Sequence, residues 1–235
     1  MQKQTRLGDD AMIYQPRKKQ TEKEKLREMS FREKVAYIRE YYKFHIIGSI
    51  VAVAIIIYIV YGIVNPAPAT VFYAAMVNNA ISEDVIQEYS NNFAGKLELN
   101  TERESVNLST NFNFGPSEDQ YTMGMRNALT TYIAANEIDV IIAPESEFKD
   151  YAYIGYFSKL SDKLPTDIYS SLTDNFYMAH TEEDAESSVY GIYLTDTKLY
   201  KDNSLSTEPY VLGILVNAPN NENSIEFIRF LFNNK

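Results

Sequence analysis

The chain has 235 residues, 22 Lys and Arg against 32 Asp and Glu, a net charge of -10 and no cysteine. The missing cysteines exclude a disulfide scaffold, a thiolate metal site, a cysteine nucleophile and a lipid-modified N-terminal cysteine, and the acidic balance argues against a nucleic-acid binder, which needs a surplus of Lys and Arg. The charge is unevenly placed: residues 1–45 hold 12 basic and 7 acidic side chains, a net +5, whereas residues 65–235 hold 10 basic and 25 acidic ones, a net -15.

In chain order, residues 1–29 are polar, contain Pro16 and lack sustained periodicity, which reads as a disordered tail. Ser30 followed by Glu33 is a capping-box pattern, and Phe31, Val35, Ile38 and Tyr42 then form one helical stripe, so residues 30–45 are expected to make an amphipathic helix running straight into the next segment. The stripe reads as an interfacial helix whose Lys and Arg meet anionic lipid head groups, or as a docking surface for a cytoplasmic partner; nothing in the sequence favours the second.

Ile46 to Val64, IIGSIVAVAIIIYIVYGIV, has no charged, amide or proline residue. As a helix its 19 residues span roughly 28 Å, close to the ~30 Å hydrocarbon core of a bilayer. The expectation is a single membrane span contacting lipid through Ile46 to Val64, with the basic side cytoplasmic and the acidic side external. Ala67-Pro68-Ala69 has the form of a cleavage site, but the run is longer than a signal-peptide core and sits about 45 residues in. Gly48 and Ala52 form a small-xxx-small pair through which two copies could approach as a homodimer. A lone apolar helix supplies neither a pore nor an intramembrane ion site.

Residues 65–69 read as a linker and residues 70–235 as one external α/β domain. Thr70 to Asn79 reads as a strand. Ser82 caps a helix closed by Gly95, and residues 106–114 alternate as a second strand. Ser117 caps a helix to about Asn136, and Asp139 to Ala143 is a short strand. A helix from Phe148 to Ile154 is stopped by Gly155, and the region from Leu164 to Leu172 adds a helical turn. Residues 182–186 form an acidic loop, and two strands near 189–195 and 210–217 lead to a last amphipathic helix. Alternating strands and helices argue for parallel βαβ units covered by helices.

Some of these segments resemble a known family. DVIIAPESEFKDYAYIGYFSKLSDKLP (Asp139 to Pro165) and YVLGILVNAPNNENSIEFIRFLF (Tyr210 to Phe232) resemble extracellular solute-binding proteins of type 2, and MSFREKVAYIREYYKFHIIG (Met29 to Gly48) resembles single-pass membrane proteins of low-GC Gram-positive bacteria. The resemblance implies one N-terminal transmembrane helix and a single-lobe, mostly parallel three-layer α/β/α domain. Two-lobed solute-binding proteins need roughly twice the residues available here, so the opposing wall of a closing cleft is missing. Binding at the carboxyl ends of the strands remains open. Those ends would present Asn78, Asn79, Gly115, Ser117, Pro144 and Glu145.

No Gly-rich phosphate loop, nucleophile elbow or metalloprotease motif is present. His180 beside Glu182, Glu183 and Asp184 reads as a solvated loop rather than a metal site. A carboxylate pair such as Asp139 and Glu145 would be the minimal acid–base set. Tyr151 and Tyr153 are candidates for a protein interface. No metal and no cofactor is expected. The sequence thus reads as a membrane-anchored, non-enzymatic binding domain for an envelope protein or membrane complex, with a tethered small-molecule receptor or transporter accessory as the alternative.

Overall fold

The apolar run folds as a helix longer than itself. In the computed structural model, which describes residues 21–115, 117 and 119–233, this helix, α3, spans Lys43–Val64 and none of its residues is buried. It is long and apolar enough to cross a membrane by length and composition. It does not stand at the N-terminus, because α1 (Glu22–Glu28) and α2 (Phe31–Tyr41) precede it. The disordered tail expected over residues 1–29 lies mostly outside the described residues; inside them it gives way to α1, whose first turn is closed by a capping box between Thr21 and Glu24.

Ser30 and Glu33 form the expected capping box on α2, with the Ser30 N–H donating to Glu33 Oε2 at 2.8 Å. The expected uninterrupted passage into the apolar helix fails at Tyr42, whose φ of -111° and ψ of 2° leave helical values. Tyr42 is the C-cap of α2 and the N-cap of α3, its N–H donating to Ile38 O at 2.9 Å and its carbonyl accepting from Ile46 N at 2.8 Å, so the chain bends there between two helices.

The described residues divide after Pro66 into two compact units. The second contains a six-stranded sheet of order β2-β1-β3-β6-β5-β4, with β1 at Ala69–Val77, β2 at Glu104–Phe112, β3 at Val140–Pro144, β4 at Phe176–Ala179, β5 at Ser188–Tyr193 and β6 at Tyr210–Ile214. β1 pairs parallel with β2 and β3. β3–β6, β6–β5 and β5–β4 are antiparallel, so the sheet is mixed, and the mostly parallel expectation holds only for its β2-β1-β3 part. The loop between β4 and β5 is short enough for hairpin pairing, whereas parallel neighbours require a crossover.

Both faces of the parallel part are covered. Phe72 packs edge-on against Phe93 of α4 (Glu83–Lys96) and against Phe227 of α10 (Asn221–Asn233). Its neighbour Tyr73 points to the other face and meets Tyr132 of α5 (Gln120–Ala134). α6 (Glu145–Tyr153) lies on that same face, where Phe148 stacks on Phe157 with ring centroids 4.2 Å apart and planes within 5°. The two rings rest on Gly191 and Gly213, which the β5–β6 register sets opposite each other. A Cβ on Gly213 would lie 2.6 Å from Phe157 and 2.8 Å from Phe148, which requires glycine there.

Smaller elements complete the unit: α7 (Leu160–Lys163), α8 (Thr166–Ser171) and α9 (Lys198–Asn203). β4 and α9 occupy stretches in which the sequence suggested no element. Two caps also differ from expectation. Asp119, not Ser117, caps α5, its carboxylate accepting from Thr122 N at 2.8 Å, where an anion meets the positive helix end. Gly95 lies inside α4; the helix ends at Lys96 and Glu98 takes the left-handed conformation (φ 53°) instead.

Candidate functional site

The six residues expected at a strand-end site do lie at the carboxyl ends of β1, β2 and β3. Most of their polar groups are engaged with neighbours, the exception being the buried Asn79 Oδ1, which has no hydrogen-bond partner. Asn78, left-handed at φ 48°, accepts from Phe114 N at 2.6 Å through Oδ1, and the Tyr210 hydroxyl donates to its main-chain carbonyl. Asn79 Nδ2 donates to Ile81 O at 2.6 Å, Gly115 N donates to Thr122 Oγ1 at 3.1 Å, and Ser117 Oγ donates to Asp119 Oδ2 at 3.5 Å.

Pro144 is buried and leads directly into α6. Glu145 accepts from the Tyr193 hydroxyl at 2.9 Å; burial first, and the adjoining carboxylate second, push that phenol up to about 12. Beside them Glu208 accepts from Ser146 N at 2.5 Å, and Arg126 forms a two-pronged ion pair with Glu147 at 2.9 and 3.0 Å with its guanidinium 4.4 Å from the Phe114 ring centre. The carboxyl edge is therefore knit together by its own side chains.

Tyr151 and Tyr153 do not form one surface. Tyr151 packs against the core, stacks on Tyr156 with centroids 5.9 Å apart, and has its phenol pushed up by burial. Tyr153 is exposed and meets His180 edge-on at 5.9 Å. The acidic loop is held by Lys159, whose ammonium donates to Asp184 at 2.9 Å and keeps that carboxyl below its usual range. Among the described residues no group of three or more His, Cys, Asp or Glu is placed to hold a metal ion.

The opposite, amino end of the parallel strands is built around a residue that sequence reasoning assigned elsewhere. Asp139 is fully buried. Its carboxylate accepts from Tyr73 N at 2.8 Å, Asn220 N at 2.6 Å and Asn220 Nδ2 at 3.2 Å. Burial raises its pKa above the ordinary carboxylate range against the pull of these donors. Asp139 and Glu145 stand at opposite ends of β3, roughly 20 Å apart at ~3.3 Å per strand residue, so they form no acid–base pair.

Above Asp139 opens a cleft of about 500 Å³. Its floor is Tyr73 and Asn107, register partners on β1 and β2. Tyr132, Asn136 and Glu137 from the end of α5 form one side, and Thr70, Pro219 and Asn220 the other. Asn136 is left-handed at φ 56°, and its Oδ1 accepts from Asn217 Nδ2 at 2.5 Å, while the same Nδ2 donates to Ile133 O at 2.7 Å. The cleft draws on four separated segments. The one signal for it in the sequence is the density of Asn and Tyr in exposed loop and helix-end positions.

The sequence matches no protein-family model and no curated protein, and the fold matches no solved structure.

Proposed function

We propose that the chain is a single-pass membrane protein whose domain from Ala67 onward acts outside the cell as a binding module, without catalysis, for an envelope protein or membrane complex. The observation that carries this reading is α3: a 22-residue apolar helix with no buried residue has no protein cover for its surface, and a bilayer supplies one. Lys34 and Arg39 before it and Lys43 at its first position, against the acidic domain after it, favour a cytoplasmic N-terminus. The sheet, with helices on both faces, is consistent with one lobe resembling a solute-binding protein. Gly48 and Ala52, one helical turn apart on the exposed surface of α3, give a second copy a route of close approach.

Tags at both ends test the reading. In wall-stripped cells, added protease should remove the C-terminal tag and spare the N-terminal one, and both should fractionate with membranes at full length. Crosslinking before solubilisation should then capture one recurrent envelope or membrane protein. Protection of the C-terminal tag refutes the orientation, and release of the full chain by carbonate refutes the span.

A further inference from the structure

We propose that the amino-end cleft binds an uncharged saccharide. The proposal rests on the reading of this chain as a binding protein, and it is independent of the orientation of α3.

The volume, about 500 Å³, lies within the range of small-molecule sites. The lining decides the chemistry. It contains no Lys or Arg among the described residues, so it offers nothing to neutralise a phosphate or carboxylate. Amides, hydroxyls and a single carboxylate, Glu137, make most of its wall, which suits neither a hydrocarbon nor a lipid tail. A ligand without net charge, rich in groups that both donate and accept, matches a wall made mainly of amides and hydroxyls.

A sugar has that character, and two features of the cleft match it. Asn107, Asn136 and Asn220 each carry a donor and an acceptor side by side, as a pair of adjacent hydroxyls does. Tyr132 is 39 % exposed and meets Tyr73 edge-on at 6.0 Å, which leaves ring surface for the C–H face of a pyranose, attracted to the negative face of the aromatic system.

The amides are also held before any ligand arrives. Asp139 accepts one hydrogen bond from the Asn220 side-chain amide and another from its main-chain N–H, and Asn217 Nδ2 donates to Asn136 Oδ1. Side chains already ordered lose little further freedom on binding. This gives Asp139 a positioning role, and the site lies at the end of the sheet opposite to the edge containing Glu145.

The test uses the full chain in phospholipid nanodiscs, because glycoside detergents would compete. Tyrosine fluorescence, unobscured in a protein without tryptophan, and calorimetry follow titrations with maltotriose, cellotriose, triacetylchitotriose and, as a charged comparator, trigalacturonate. At least one neutral trisaccharide should bind saturably, with trigalacturonate at least about tenfold weaker. Tyr132→Ala and Asn107→Ala should each weaken it by about tenfold or more, while Glu145→Gln, at the opposite end of the sheet, leaves it unchanged. Asn107 is exposed, so its variant reports binding even if Tyr132→Ala unfolds.

Absence of saturable binding by every neutral trisaccharide overturns the proposal. So does full affinity in the Asn107→Ala variant, or saturable binding of an uncharged tripeptide in place of the sugars. None of these outcomes touches the protease and crosslinking results, so failure here and failure of the anchored-module reading are told apart.

Discussion

Asp139 gathers three N–H donors from two segments far apart in sequence, so its removal leaves donors without an acceptor. Asp139→Ala strands the buried N–H groups of Tyr73 and Asn220 and should destabilise the domain by about 3 kcal/mol in chemical unfolding. Asp139→Asn keeps one acceptor and should cost about half as much. The sign with pH follows from the direction of the shift. A carboxyl raised by burial binds its proton in the native state before the unfolded chain does, so its contribution is complete below the unfolded value of about 3.9 and is lost as pH rises through the folded one. The stability gap between the native protein and Asp139→Asn should therefore widen on acidification from neutral pH, and unfolding midpoints at a series of pH values measure it. Nothing in the stretch around Asp139 announces this role: a charged residue ahead of an apolar strand looks like a solvated strand end, and only Tyr73 and Asn220, brought in by the fold, make it an interior acceptor.

α2 is the element whose surface is most informative. Phe31, Val35 and Ile38 fall within an arc of about 60°, with Arg32 and Arg39 on one flank, Lys34 on the other and Glu33 and Glu40 opposite. Phe31 is 82 % exposed, so no protein covers the apolar arc in this structure. With the bend at Tyr42 it suits a helix lying in the lipid interface while α3 spans. Since the chain has no native cysteine, single spin labels at Val35→Cys, Glu40→Cys and Ile57→Cys report without background. Labels at 35 and 57 should relax with oxygen and resist an aqueous nickel chelate, and the label at 40 should behave oppositely. Water at 35 with lipid at 57 sinks the interfacial helix alone; water at 57 sinks the span.

The elements differ in how far they can be read from sequence for a physical reason. Ser82 before Glu83 and Asp84, or an uninterrupted apolar run, are local signals and are reproduced in α4 and α3. β4 has four residues and α9 six, too few for periodicity to register. The antiparallel union of β3 with β6 depends on which distant strand arrives and in what direction, which no local pattern encodes. Gly191 and Gly213 fall inside strands the sequence does suggest, but the reason for glycine there, the rings of Phe148 and Phe157 packed over the sheet, comes from distant segments.

At the scale of the whole molecule, phenols raised by full or partial burial outnumber the other perturbed groups among the described residues. Tyr73, Tyr89, Tyr151, Tyr177, Tyr193, Tyr200 and Tyr210 are all raised, with burial the first cause in each. A phenol raised in the native state ionises first in the unfolded chain, so its contribution is intact below about pH 10 and falls away above it. The domain should lose its ellipticity cooperatively in alkali, in step with the rise of tyrosinate absorbance. Tyrosinate forming well before the fold is lost would contradict the buried assignments.

The strand order carries a consequence for biogenesis. β6 follows the other five strands in sequence yet sits between β3 and β5, making, among the described residues, the only strand-to-strand link from β2-β1-β3 to β5-β4. Until everything through Ile214 has emerged, a nascent chain holds two partial sheets that cannot join, and Phe148 lacks half of the surface it rests on. The two halves of a sheet wired in this way can be joined only once β6 is present, so its closure depends on a strand that comes late in the chain.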